Sequence, residues 1–313
     1  MEQQNFDFSR IISIIRKNYK VFLVVALVAA VLATIFSGPT FLKPRFKSVA
    51  VVYPINIKPY SDESQTEQLL QMFEASSIRD SLISKFNLYE RYEIEEGTPS
   101  SKYYMQLEYN DRVVSSKTSY ESVVLEVFDE EPEIAKQMAD EILVQLNKKI
   151  RSFYHRRGRD RSDAFQTSMD FQLAIIDTLQ QKIQKLAAEK NLVQYESQAR
   201  ELVKGYIDSY AAGPNSERTK ELRLWLNDLQ ESGANFQALQ NISDIAAEQY
   251  GEISFKFLEY RAIGYENVSY IDIVVSPEVN DKKVWPIRWL ILLLSVAVAS
   301  LVTLIVLAAA KKY

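Results

Sequence analysis

No cysteine occurs in the 313 residues. That excludes disulfides, thiolate metal sites and cysteine nucleophiles together. Histidine is nearly as scarce: His155 is the single one, so a zinc site of the HExxH kind is excluded. Glycine numbers only 8, and neither phosphate-cradling pattern, GxxxxGK[ST] or GxGxxG, occurs. No constellation for catalysis is left, so no enzyme activity, cofactor or metal is expected. Two stretches lack charge altogether, and they organise the reading of everything between them.

The longer uncharged run is Trp289 to Ala310, WLILLLSVAVASLVTLIVLAAA. At 1.5 Å per residue its roughly 33 Å of helix crosses a ~30 Å hydrocarbon core. In lipid the backbone must satisfy its own hydrogen bonds, which requires a helix. The second run, Val21 to Phe36 (VFLVVALVAAVLATIF), is shorter at roughly 24 Å. Tyr19 and Lys20 can snorkel at one end, and Thr40 to Leu42 can extend the other. A signal peptide competes, but the run starts twenty residues in and lacks a clear A-x-A site, so a retained span is preferred. Ahead of it, Phe8, Ile11, Ile12 and Ile15 repeat at helical spacing among Arg10, Arg16, Lys17 and Lys20. That fits an amphipathic surface helix or a few ordered turns equally well.

Two spans place both termini on one side. Lysine and arginine precede the first span, but Lys43, Arg45 and Lys47 follow it, so the positive-inside count favours cytoplasmic termini only narrowly. Six of the 37 basic residues lie outside the spans, so the part between them is net acidic. Nucleic acid is therefore not an expected partner.

Between the spans, Arg45 to Ile57 reads as a strand, as do Tyr103 to Tyr109, Ser122 to Phe128 and Val268 to Ser276. The last should pair with the first, closing a sheet from both ends of the domain. Thr66 to Phe73 and Ser77 to Phe86 read as short helices. Asp129 reads as an N-cap, with Pro132 in the first turn and Glu130, Glu131 and Glu133 suiting the positive helix end. A helix start accounts for all four acids without a metal. The helix has little reason to stop before about Lys204, with Gly158 its one weak point. Its seams are Met169, Ile176, Ile183, Lys190 and Gln172, Leu179, Leu186, Val193. GPNS at 213–216 is a turn. A returning helix follows, with seams Leu222, Leu229, Phe236, Ser243, Tyr250, Phe257 and Trp225, Ser232, Leu239, Ala246, Ile253, Tyr260, interruptible at Gly233. The expected fold is thus an α+β membrane protein. Two transmembrane helices flank a domain with a small membrane-proximal sheet and a long antiparallel helical hairpin projecting from the membrane.

Three stretches carry a resemblance: FKSVAVVYP (Phe46 to Pro54), VVLEVFDEEPEIAKQMADEIL (Val123 to Leu143, with Asp129, Pro132 and Ala135), and IVVSPEVNDKKVWPIRW (Ile273 to Trp289, with Pro277, Pro286 and Arg288). The chain resembles the Wzz-type chain-length determinants, or polysaccharide co-polymerases. One departure is a missing middle proline near Lys282 and Lys283. The resemblance implies a non-enzymatic, ring-like homo-oligomer in the bacterial inner membrane, with the bulk of the chain periplasmic. Its implied partners are a Wzy-type polymerase and growing lipid-linked polysaccharide, and its implied role is to set chain length of O-antigen, capsule or exopolysaccharide. The domains expected are a cytoplasmic segment 1–20, first span 21–42, membrane-proximal α/β part 43–131, helical hairpin 132–262, return strand and Pro-containing segment 263–288, second span 289–310 and cytoplasmic tail 311–313. Some relatives carry a tyrosine kinase after the second span. Here Lys311, Lys312 and Tyr313 follow it without a P-loop, so no kinase activity is expected. The runner-up reading is an export adaptor that activates a separate cytoplasmic kinase.

Candidate residues follow from both lines. Pro277, Pro286 and Arg288 are expected to set membrane re-entry. Ser295 and Ala299, like Ala26 and Ala30, stand four apart and permit close helix approach. Arg151, Arg156, Arg157, Arg159 and Arg161 surround His155 in the densest basic run. They suit either contact with anionic sugar or lipid-linked phosphate, or pairing with acids of a neighbouring subunit.

Overall fold

A computed structural model describes residues 8–59, 61–192 and 194–310, with side chains from 12 to 309 outside the two gaps. The expectations for residues 1–7, Val193 and Lys311 to Tyr313, and for the side chains of Phe8, Arg10 and Ile11, lie outside the described residues. Two compact units divide the chain: one holds 1–150 and 268–313, the other 151–267.

The first unit is built on β1 (Arg45–Pro54), which follows directly from the first apolar helix. Before β1 stand α1 (Phe8–Lys17) and α2 (Tyr19–Phe36). After it come α3 (Gln65–Phe73), α4 (Ser76–Lys85), the single turn α5 (Leu88–Arg91), α6 (Ser101–Arg112), β2 (Val113–Lys117) and β3 (Val123–Asp129). The chain returns through β4 (Ile271–Val275) and β5 (Lys283–Trp285) into α10 (Arg288–Ala310). All strand pairings are antiparallel, in the order β2-β3-β1-β4, and β5 pairs the N-terminal end of β1. The expected closure of first strand on last is therefore present, with Tyr53 opposite Asp272.

Alternation explains the sheet. Ser48, Ala50 and Val52 on β1, and Val123, Leu125, Val127 and Asp129 on β3, all turn to the buried face. Against them lies a stripe of α7 (Pro132–Lys190): Ala135, Met138, Ala139, Ile142, Leu146 and Ile150, all nearly inaccessible. Each large member of this core contributes about 1.5–3 kcal/mol by leaving water.

The sequence places a strand at Tyr103 to Tyr109, and the structure places α6 there. Ser101, Met105, Tyr109 and Arg112 are the buried positions, a spacing of three to four that only a helix satisfies. Tyr103, Tyr104 and Leu107 point outward; the bulk of the two tyrosines imitated a strand signature. Pro132 does open α7, but Asp129 is not its cap. Its Oδ1 accepts from the Glu131 N–H at 3.0 Å, an Asx-type turn ahead of the helix.

The second unit contains the far part of α7, then α8 (Tyr195–Ala212) and α9 (Glu217–Tyr265). The outgoing helix does not continue to Lys204. Asn191 adopts a left-handed φ of 51°, and the Leu192 N–H bonds back to the Ala187 carbonyl at 3.0 Å. This is a Schellman stop with asparagine in place of glycine, and Leu192 is buried in a cluster against which Ala187 packs. The expected turn at 213–216 is present, and Ser216 caps α9 by accepting from Thr219 N–H. The heptad seams are the buried stripes, with Met169, Gln172, Leu179, Leu229, Phe236 and Ala246 all buried. Trp225 is the exception, at 65% exposed.

Two glycines read as weak points are close approaches instead. A Cβ on Gly158 would stand 2.4 Å from the Gly264 backbone nitrogen, and one on Gly233 would stand 1.8 Å from the Tyr195 ring. Neither interrupts its helix. Gly158→Ala should lower the stability of this unit by about 1–3 kcal/mol, because backbone cannot yield as a side-chain end does. Gly205, with nothing near its missing Cβ, provides the control: Gly205→Ala should be neutral or stabilise by up to ~1 kcal/mol. Thermal unfolding of the two variants decides it, and equal losses would contradict the packing described.

Candidate functional site

The two apolar helices first. Their large side chains face outward, with Leu27 and Leu301 each 60% exposed. A soluble core helix would bury them; α2 and α10 instead present apolar surfaces outward. Each is long and apolar enough to cross a membrane. They pack on each other along their small-residue faces. Ala33 is buried, and Ser295 lies with Ala29, Ala33 and Ile291 around the gap between the helices. Ser295, Ala299, Ala26 and Ala30 are all half-buried. With so little side chain between them, the backbones come close.

The segment entering α10 is tied to β1. Trp285 stands opposite Arg45 in the strand pairing, and the Arg45 guanidinium lies 5.5 Å from the Trp285 ring. Ser48 Oγ donates to the Glu278 carbonyl at 2.9 Å. Pro277 and Pro286 are buried, and the Trp285–Pro286 bond is cis. Arg288, the first residue of α10, is exposed.

Beside this entry lies a charge lattice that sequence reasoning missed. Asp129 is fully buried, and Arg91 grips it from Nε at 3.2 and 3.1 Å and from Nη2 at 2.6 Å. Arg91 also reaches Glu131 at 2.9 Å. The Asp129 carboxylate holds the Arg91 guanidinium charged still more firmly than usual, against the opposing cost of burial. Arg112 is buried too. Burial, the largest single influence, weakens its charge, but the Glu108 bond at 2.7 Å together with Tyr92 and Asp129 outweighs it, and the pKa rises. Its guanidinium lies 4.2 Å from the Tyr92 ring, whose phenol is pushed upward by burial and then by Asp129. Lys43 bonds Glu93 at 2.7 Å and Glu130 at 3.4 Å. The Glu93 bond raises the Lys43 pKa and lowers that of Glu93. Arg45 pairs with Asp111 and Glu108, and Lys47 with Glu126. The three cations after α2 that blurred the positive-inside count thus have a folding reason to be there.

The basic run is not one patch. Tyr154, Gly158 and Ser162 form the buried stripe of α7 at this level. Arg156 and Arg159 lie to one side of it, and Arg157 and Arg161 to the other, by the 100° step of the helix. Arg151 and Arg157 are half-buried, while Arg156, Arg159 and Arg161 are exposed and make no ion pair within the chain among the described residues. His155 is spoken for: its Nε2 lies 2.7 Å from the Glu266 carbonyl. Among the described residues no group of acids and histidine could hold a metal ion.

An α/β unit strung between two apolar helices, together with a separate unit of long helices, is the class that the geometry defines. Residues 4–93 match the family model of the Wzz chain length determinant protein. That match covers α1, α2, β1 and α3 to α5, and it includes the Phe46 to Pro54 stretch, so the resemblance to this family stands. No curated protein matches. Among solved structures, a full-length bacterial polysaccharide co-polymerase is similar at 13% identity and a TM-score of 0.46, over 98% of this chain and 99% of that one. The wild-type Shigella flexneri lipopolysaccharide O-antigen chain-length regulator WzzBSF is similar at 12% identity and a TM-score of 0.32, over 76% and 99%.

Asp129→Ala strands Arg91 with only Glu131 as partner. A loss of about 3 kcal/mol is expected, the lower end for a broken buried pair because Arg91 keeps some water. Urea unfolding should show it in the sheet-containing unit, and Asp129→Asn should recover only part.

Proposed function

We propose that this protein is a non-enzymatic regulator of surface-polysaccharide chain length. In this reading α2 and α10 hold it in the bacterial inner membrane, and residues 43–288 stand in the periplasm. Copies assemble as a ring-like scaffold beside a Wzy-type polymerase and its growing lipid-linked polymer. The observation that carries the reading is the family match over residues 4–93. The pairing of β1 with β5 supports it, because it brings the two membrane entries side by side.

Within this reading the candidate residues take roles. Pro277 and Pro286 hold the return segment against β1, so that Arg288 meets the headgroup layer where α10 begins. Ser295 and Ala299 keep α10 close to α2. Arg156, Arg159 and Arg161, exposed on two faces of one helix, pair with acids of neighbouring copies more readily than they grip one polymer, since no single face gathers them.

Deleting the gene should turn a clustered band of polysaccharide lengths into a smooth distribution on a gel, and restoring it should bring the cluster back. Complete loss of polymer would favour the export adaptor that activates a separate kinase; an unchanged ladder would sink both. Topology has its own check, made clean by the absence of cysteine. Tyr120→Cys, at a position 79% exposed, should react with a membrane-impermeant maleimide in cells whose outer membrane is opened. Ser13→Cys should react only after the inner membrane is breached. The reverse pattern would invert the proposed orientation.

A further inference from the structure

The glycines of the second unit fall into two kinds. Gly158, Gly233 and Gly264 each touch another part of the chain. Gly205, in the middle of α8, and Gly251, within α9, have nothing within 4 Å of where a Cβ would stand; of these two, Gly205 lines a cavity. A mid-helix glycine costs roughly 0.5–1 kcal/mol relative to alanine, and the chain's own packing does not ask for it here. What it does is leave the α8 backbone bare along one wall of a cavity.

That cavity, of about 530 Å³, lies between the α7 stop, α8 and the start of α9. Its size falls in the range of small-molecule sites, roughly 300–1,000 Å³. The floor is apolar, made by Leu202, Leu222 and Leu229. Trp225 forms a side wall and is left 65% exposed, although it falls in the heptad seam. The rim is polar and balanced in charge. Lys190 and Asp228 are joined at 2.6 Å, and that bond raises the Lys190 pKa. Arg218 and Glu201 make no ion pair within the chain among the described residues.

This is the chemistry of a sugar ring turned inside out. A pyranose shows C–H groups on its faces and hydroxyls around its edge. The C–H groups carry slight positive charge and meet the negative face of an indole. The hydroxyls both donate and accept, so they match carboxylates and guanidinium groups side by side. A rim with two cations and two carboxylates gives no preference for a polyanion.

We propose that this cavity holds a saccharide residue of the polymer, stacked on Trp225 and lying over Gly205. The inference rests on the chain-length reading above and gives it a binding place on the chain. The test uses the full chain in lipid nanodiscs. The probe is the repeat-unit oligosaccharide released by mild acid from the surface polysaccharide of the producing cells, followed by calorimetry. Trp225→Ala should weaken binding at least tenfold, and Trp225→Phe should stay within about threefold. Gly205→Leu, which thrusts a branched side chain of a good helix former into the cavity, should weaken binding at least tenfold. Circular dichroism and particle mass should be unchanged in all three. Oligosaccharide affinity that is absent in the parent, or indifferent to the three substitutions, overturns the proposal. So does intact sugar binding with an altered particle mass, which would assign the cavity to a second copy of the chain. If the length cluster depends on the gene while oligosaccharide binding ignores the cavity, only this inference fails. If the ladder is indifferent to the gene, the reading beneath it fails.

Discussion

The pairing of both edges of β1 is the constraint on which the first unit depends. β1 leaves α2 after a short connection, takes β3 on one side, and on the other takes β4 along its far half and β5 at its near end. Antiparallel geometry then fixes where the chain must come back. With Trp285 opposite Arg45, α10 begins close to where α2 ended. Two apolar helices entered side by side can pack along their alanine and serine faces without a large hydrophobic driving force, which lipid would not supply. Sheet closure and helix pairing are therefore one arrangement seen at two levels.

Charge completes that arrangement on the sheet side. The connection from α2 into β1 carries Lys43, Arg45 and Lys47, and each meets a carboxylate from a different stretch of chain: Glu93 and Glu130, Asp111 and Glu108, and Glu126. Most of these pairs are partly wet and worth little each. Arg91 with Asp129 differs, because the carboxylate is fully buried and takes donors from a side chain and a backbone N–H. It joins the short α5 to the end of β3 and the approach to α7.

In the second unit, backbone proximity does the work that large side chains do in the first. Gly158 against Gly264, and Gly233 beneath Tyr195, let long helices meet at distances that a methyl group would forbid. The Schellman stop at Asn191 then turns the chain so that α8 can cover Leu192, Leu229 and Phe236. The turn also opens the cavity beside Trp225. A helix running straight on to Lys204 would have neither.

Local pattern was enough for the two apolar helices, for β1, β3 and β4, for α3 and α4, and for the heptad seams, because each is written in periodicity or in length of apolar run. The turn at 213–216 was legible for the same local reason. Pairing across long sequence separation was not. β5 is three residues long and has meaning only against Arg45; α5 is one turn; and Asp129 looked like a cap because its partner Arg91 lies 38 residues earlier. The strand expected at Tyr103 to Tyr109 became α6 because burial at Met105 and Tyr109 outweighed aromatic composition. Of the candidate residues, the arginine run was visible as composition, but helix rotation divided it between two faces. Trp225 was visible only as one more seam position. The sequence by itself determined where the chain is apolar, where it alternates and where it turns, since those are properties of neighbouring residues. Which glycines are contacts, which acids are paired and which seam position is left open to solvent were decided by tertiary structure, since each depends on a partner tens or hundreds of residues away.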